Sequence, residues 1–208
     1  NPKTGSFTDP GYVEALDKYQ QLVPYMNIGV NGMTHDMARQ LFTTGQAAMC
    51  YIELVEITNL YQETEGTEFN WGMFVFPTVE GAGNPNILTG EPEGFVISAN
   101  TDYPDECVEF LKWFLGPEVG AQQAEVVGWF NASKGVADNL EDEGLREAYD
   151  LIMNAEEMGP WFDASLYSTV CEEYLQQISN VTNGDISSAD AMAKIQATAL
   201  EAQTLAAE

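Results

Sequence analysis

Basic residues are scarce in this sequence: seven Lys and Arg stand against 33 Asp and Glu among 208 residues, a formal net charge of -26. A surface of this charge repels phosphate, which argues against nucleic acid as a partner and disfavours anionic lipid. Long hydrophobic runs are also missing, since none approaches the ~18 residues of a membrane-spanning helix. No signal peptide is visible and the chain begins with Asn1 rather than Met, so we interpret it as a mature segment or a cut piece.

Histidine and cysteine are equally rare. A Ser-His-Asp or Cys-His catalytic unit would have to be built around His35, the one histidine. Its sequence neighbour Asp36 cannot serve as its orienting partner, so we expect a surface or helix-capping histidine. The three cysteines, Cys50, Cys107 and Cys171, are far apart and odd in number, which excludes a disulfide framework and favours small buried hydrophobic residues. A single histidine and no Cys-x-x-Cys pair argue against a zinc site.

Short functional motifs are missing as well. There is no P-loop and no Gly-x-Gly-x-x-Gly, so nucleotide binding has no support and no cofactor is predicted. The acidic segment that starts at Asn139 has Asp150 where a calcium loop needs glutamate, and we interpret it as a solvated helix start. With 33 carboxylates, the sequence cannot single out the pair that glycoside hydrolysis requires.

Hydrophobic spacing predicts a helix-rich α/β protein with too few strands to complete a sheet. A capping box, Ser187 with Asp190 three positions later, predicts the start of the last helix. Residues 81–94, rich in glycine and proline, predict a long loop. The predicted strands are residues 47–52, 71–77 and 95–98. The other predicted helices are residues 12–23, 37–42, 54–63, 104–115, 117–127, 140–158 and about 165–183.

Aromatic residues follow several loop breakers. Trp129 follows a glycine, Trp161 follows Gly-Pro, and Tyr167 lies a short way on. Aromatic rings on loops can stack on sugar rings, although such rings also serve as core anchors. Trp71 and Trp113, inside a predicted strand and a predicted helix, are expected in the core.

A family resemblance appears at residues 42–49, whose sequence FTTGQAAM resembles the motif F-x-x-G-[KQ]-A-A-M. This motif ends a helix in the extracellular solute-binding proteins of ABC importers, the family that includes maltodextrin-binding protein. The segments that follow resemble the same family in the same order over about residues 7–205. These segments are residues 70–77, 94–98, 104–114 and 129–134.

The resemblance implies a periplasmic-binding-protein-like fold of type II, in which two α/β lobes hold a ligand between them. It implies that this chain is the C-terminal half of such a protein. Residues 1–85 would be the first part of the C-terminal lobe, 86–138 the crossover and elements of the N-terminal lobe, and 139–208 the closing helices. Residues 93–135 would then expose an apolar face, covered by another chain in a homo-oligomer or swapped dimer.

The implied ligand site departs from the family in two places. Glu53 and Val55 stand where many members have a glycine and an aromatic residue, and Phe130-Asn131 replaces the proline of a Pro-Ala-x-Lys stretch. No catalytic or metal residue is implied. The expected ligand-binding residues are Trp161, Trp129, Glu53, Phe162, Tyr167 and Glu93.

The implied function is capture of a solute, a sugar or oligosaccharide, by closure of two lobes without catalysis. An ABC permease in the membrane would receive the solute. The expected location is extracellular, as a surface lipoprotein or in the periplasm, with signal and anchor outside this sequence. The alternatives are a carboxylate-based glycosidase, a protein-interaction domain, and a binder of polyamines, peptides or iron complexes.

Overall fold

The structure is a computed structural model that describes residues 5–77, 84, 86–90 and 93–206. The chain divides into two compact units, Asn1–Thr34 with Pro160–Glu208 and His35–Gly159. In the described residues the strands are β1 (Ile87–Thr89) and β2 (Glu157–Gly159). The α-helices there are α1 (Pro10–Leu22), α2 (His35–Thr43), α3 (Ile57–Thr64), α4 (Pro104–Phe114), α5 (Pro117–Val127), α6 (Glu143–Met153), α7 (Ser168–Asn183) and α8 (Ser188–Leu205).

In the first unit, α8 packs against both α1 and α7. The predicted capping box forms, because the backbone N–H of Asp190 donates to Ser187 Oγ at 3.1 Å and so satisfies a free donor of the first turn. The chain before α1 is fixed by Gln196, whose Oε1 accepts the Phe7 N–H at 2.8 Å. The buried core consists of Leu16, Val170, Val181, Ala191, Met192, Ile195 and Ala199.

In the second unit, α3 packs against α2 and α5, and a short parallel pair of strands joins Ile87 to Glu157 in register. The buried core draws side chains from α3, α5 and α6 and from the connection that precedes α6. Its members are Ile57, Ala121, Ala124, Val136, Leu140, Leu145, Ala148 and Tyr149. The bounds of the two units differ from those of the predicted lobes, and the division into lobes stays a prediction.

The three predicted strands are wrong as strands, since residues 47–52, 71–77 and 95–98 belong to no sheet of the described residues. The extended pattern itself is present: Trp71 and Met73 are half-buried against the core while Gly72 and Phe74 are exposed. A strand also needs the backbone of a second segment, and hydrophobic alternation does not supply one. β1 lies inside the predicted loop of residues 81–94.

The predicted helices are confirmed, except that α6 is shorter than the predicted 140–158 and the end of that range forms β2. Trp71 packs on the core as expected, but the core position of Trp113 is wrong, because 61% of its surface is exposed. No residue of α4 is buried, and its apolar residues Val108 and Phe110 are exposed. The apolar residues Phe95–Ile97, in the segment before α4, are exposed as well. An exposed apolar face therefore lies within residues 93–135 as predicted, and what covers it stays a prediction.

Candidate functional site

A short turn in the second unit places Glu53 beside the chain that carries Trp129. Leu54–Glu56 forms one turn of 3-10 helix, with the Glu56 N–H donating to the Glu53 carbonyl at 3.0 Å. The Val55 carbonyl faces Gly128 so closely that a Cβ added there would lie 2.3 Å from its oxygen. Gly128 has φ +71, a left-handed conformation that ends α5. Only glycine satisfies both constraints, so this contact fixes the chain just before Trp129.

A buried arginine supports the same turn. Arg39 of α2 is 8% exposed and forms ion pairs with carboxylates from three places. Its Nη1 lies 2.5 Å from Glu56 on the turn, its Nε 2.6 Å from Glu63 on α3, and its Nη2 2.9 Å from Asp36 on its own helix. Glu56 also accepts a hydrogen bond from Asn59 Nδ2 at 2.8 Å. Buried charges of this kind persist when every member has partners, a condition that this cluster meets.

The electrostatics of this cluster favour the charged arginine. The hydrogen bond to Glu63 raises the pKa of Arg39 above its ordinary value, more than burial lowers it. Burial raises the pKa of the nearby Cys50 thiol, and the positive charge of Arg39 partly offsets that effect. Cys50 is therefore a neutral thiol, and it is half-buried rather than buried as expected, as are Cys107 and Cys171.

In the first unit, an aromatic cluster fixes one of the predicted ligand residues and leaves its neighbour accessible. The ring of Phe162 lies 5.5 Å from Tyr174, 6.0 Å from Phe7 and 6.1 Å from Tyr12, centroid to centroid. Burial raises the pKa of Tyr174 within this cluster. Trp161 is 45% exposed and Phe162 is 40% exposed, so both rings present surface to solvent while the ring contacts of Phe162 anchor the segment, the arrangement that a stacking platform needs.

The other predicted ligand residues are placed with fewer constraints. Trp129 and Tyr167 are about half exposed, and Glu53 and Glu93 are exposed. The structure thus brings the turn that follows Glu53 close to Gly128 through the Val55 carbonyl, within the second unit, while Trp161, Phe162 and Tyr167 belong to the first.

Residues that suggested catalysis or metal binding have ordinary structural positions. His35 is the exposed first residue of α2. In the acidic segment after Asn139, Asp142 caps α6 by accepting the Leu145 N–H at 2.8 Å, and it also accepts the Tyr61 hydroxyl at 2.9 Å. Within the part of the chain that the structure describes, no group of three or more His, Cys, Asp or Glu could hold a metal ion. The same residues contain no helix long and apolar enough to cross a membrane.

A cavity of about 640 Å³ lies beside the C-terminal half of α3. None of the six predicted ligand residues lines it. Its polar lining groups include two carboxylates that already accept backbone N–H groups. Asp142 accepts the Leu145 N–H at the start of α6, and Glu125 accepts the Glu141 N–H just before that helix. Those bonds give its carboxylates a structural role.

Sequence reasoning missed Arg39. It is one of only two arginines in the chain, and it stands three residues after Asp36 on a helix. That rarity was the one available signal, because its other partners, Glu56 and Glu63, are 17 and 24 residues away in sequence.

Comparisons with known proteins agree with this fold. Residues 2–121 match the sequence profile of the bacterial extracellular solute-binding protein family. The fold resembles a chitin oligosaccharide binding protein, with a TM-score of 0.77 and 24% identity, over 97% of this chain and 51% of that one. It also resembles a structure from work on xylan utilization by the thermophilic bacterium Caldanaerobius polysaccharolyticus, with a TM-score of 0.71 and 20% identity, over 93% of this chain and 51% of that one. No curated protein sequence matches.

The periplasmic-binding-protein fold defines the class of the protein, a solute-binding protein. The matched profile covers more than half of the chain, and the chain belongs to the bacterial extracellular solute-binding protein family. It spans about half the length of the solved structures that it matches.

Proposed function

We propose that the protein captures a carbohydrate outside the cell, without catalysis, and delivers it to an ABC permease. The observation that carries this proposal is Trp161, an exposed indole on a turn whose next residue is anchored among three aromatic rings. Aromatic faces on fixed backbone suit the apolar faces of sugar rings. Membership in the solute-binding family supports the binding of a solute. Because a protein of similar fold is a chitin oligosaccharide binding protein, oligosaccharides are the first ligands to test.

In this proposal, ligand contacts come from exposed aromatic and acidic side chains. Trp161, Trp129 and Tyr167 would stack on sugar rings, and Glu53 and Glu93 would accept hydrogen bonds from hydroxyl groups. Phe162, 40% exposed, would add a ring face to the ligand contact as predicted, and its packing on Phe7 and Tyr174 would help to position Trp161.

The proposal includes lobe closure as the signal that the permease reads. Residues 1–85 and 139–208 would belong to one lobe and 86–138 to the other, as the sequence predicts. The protein would act at the cell surface or in the periplasm, held in the former case by a lipid anchor.

The test is titration calorimetry on the natural full-length protein with chitotetraose, xylotetraose and spermidine. Trp161→Ala should weaken saccharide binding at least tenfold, about 1.4 kcal/mol. Tyr25→Ala is the control, because it removes an aromatic ring that is 89% exposed, lies in the same unit as Trp161 and has no assigned ligand role, and its affinity should be unchanged.

Three results would contradict the proposal. Binding of spermidine alone would replace the sugar by a cationic ligand, and release of shorter sugars from the tetrasaccharides would establish a glycosidase. An unchanged affinity in Trp161→Ala would remove the stacking residue on which the proposal depends.

A further inference from the structure

The three carboxylate partners of Arg39 lie on three different elements, so each ion pair links Arg39 to a different part of the second unit. Its ion pair with Asp36 stays within α2, whereas its ion pair with Glu63 joins α2 to α3, two helices that also pack directly. Thr43 of α2 adds a second link, since its hydroxyl donates to Glu63 at 3.0 Å. The pair with Glu56 instead reaches the turn before α3.

That turn has few other constraints on its outer side. Glu53 and Val55 are exposed, and the hydrogen bond from the Glu56 N–H to the Glu53 carbonyl closes the turn. On its inner side, the Val55 carbonyl backs onto Gly128. A displacement of Glu56 would therefore move Glu53 directly and the Gly128-Trp129 segment through the Val55 contact.

The chemistry of arginine suits this position. A guanidinium presents its N–H donors in a rigid planar fork, so one side chain can address three carboxylates in fixed directions. A lysine ammonium carries the same charge without the fixed directions. The chain has two arginines in all, and one of them is buried here with its Nε, Nη1 and Nη2 all engaged.

We propose that Arg39, through Glu56, is a positioning residue that holds Glu53 and the Gly128-Trp129 segment in the geometry that the solute contacts. The inference rests on the proposed function, because Glu53 and Trp129 are assigned to ligand contact there. It adds a residue that touches no ligand and acts through the turn Leu54–Glu56.

The test compares Glu56→Ala with Glu63→Ala in the natural full-length protein. Each variant removes one carboxylate partner of Arg39, one on the turn and one on α3. We expect both to lower the melting temperature, and only Glu56→Ala to weaken chitotetraose or xylotetraose binding, by fivefold or more. In a background that carries both Glu53→Gln and Trp129→Ala, Glu56→Ala should cause less than a twofold further loss, because both groups that it positions are already gone.

Hydrogen exchange supplies a readout that needs no ligand. Glu56→Ala and Arg39→Lys should both speed exchange of the Glu56 amide, which is bonded to the Glu53 carbonyl, while the amides of α2 keep their protection. Arg39→Lys also serves if Glu56→Ala does not fold.

Unchanged exchange at Glu56, or equal losses of affinity in Glu56→Ala and Glu63→Ala that follow their losses of stability, would overturn the proposal. If the wild-type protein binds none of the saccharides, the proposed function fails and the ligand-positioning role fails with it. Exchange at Glu56 then still reports whether Arg39 holds the turn.

Discussion

Gly128→Ala should be far more damaging than alanine at another left-handed glycine, because among the glycines that the structure describes only Gly128 combines positive φ with a neighbour closer than 3.0 Å to an added Cβ. A non-glycine residue in this conformation costs roughly 1–2 kcal/mol. The new Cβ would in addition lie 2.3 Å from the Val55 carbonyl oxygen and 2.6 Å from Thr58 Oγ1. One of these atoms is backbone, so the turn must move, and overpacking of this kind costs about 1–3 kcal/mol more.

Gly45→Ala is the matched control. Gly45 follows α2 in the same unit with φ +74, and an added Cβ there meets nothing within 4 Å. Unfolding in urea should show a loss of roughly 1–2 kcal/mol for Gly45→Ala and about 2–5 kcal/mol for Gly128→Ala. Each kcal/mol corresponds to about 2–4 °C in the melting temperature of a chain of this size. Equal losses in the two variants would refute the close approach of the turn to Gly128.

The remaining predictions concern local contacts. Ser187→Ala should lower the free energy of unfolding by about 1 kcal/mol in urea, because the cap of α8 is lost; a change below about 0.3 kcal/mol would contradict the capping role. Burial and the hydrogen bond to Asp142 raise the pKa of Tyr61, so an ultraviolet titration should show a late-ionising tyrosine that is missing in Tyr61→Phe. The stability from this shift is present below about pH 10 and is lost as the pH rises through the raised folded pKa. Trp113→Gln should change the melting temperature of the isolated chain by no more than about 2 °C, since surface substitutions stay within about 0.5 kcal/mol. A larger loss that grows with protein concentration would show that a second copy covers this face.

The helices of this protein could be predicted from sequence because their signals are local. Pro104 and Pro117 start α4 and α5, and the glycines at 128 and 184 end α5 and α7 with positive φ. Each signal acts within a few residues of the helix end that it determines. The exposed face of α4 was predicted from the family resemblance, whereas the position of Trp113 inside a predicted helix placed it wrongly in the core.

The strands could not be predicted in the same way, because pairing depends on segments far apart in sequence. Residues 71–74 alternate between half-buried and exposed positions and residues 75–77 are all exposed, yet none of residues 71–77 belongs to a sheet of the described chain. Ile87 pairs with Glu157, 70 residues later, inside segments whose composition indicated a loop and a helix end. Hydrophobic alternation reports an extended backbone with one face on the core, and it carries no information about a partner.

The candidate site shows the same division between local and distant signals. Loop breakers before Trp129 and Trp161 left ligand stacking and core packing as alternatives, the family resemblance assigned both residues to the ligand, and both are exposed. The groups that fix them come from elsewhere in the sequence: Phe162 is held by Phe7, about 155 residues before it, and the turn of Glu53 by Arg39.

Different interactions position the exposed residues of the two units: aromatic packing in the first unit and ion pairs in the second. This difference determines which residues can be varied when the site is engineered. Aromatic packing around Phe162 tolerates hydrophobic substitutions of similar volume, so Phe162→Leu should keep part of the packing that positions the neighbouring Trp161. The cluster around Arg39 has no such tolerance, because its half-buried carboxylates need a charge with fixed directions. The other arginine of the chain, Arg146, is engaged elsewhere, since it donates to the Glu141 carbonyl next to α6. Variation of ligand preference should therefore be sought around Trp161, with Arg39 and Glu56 left unchanged.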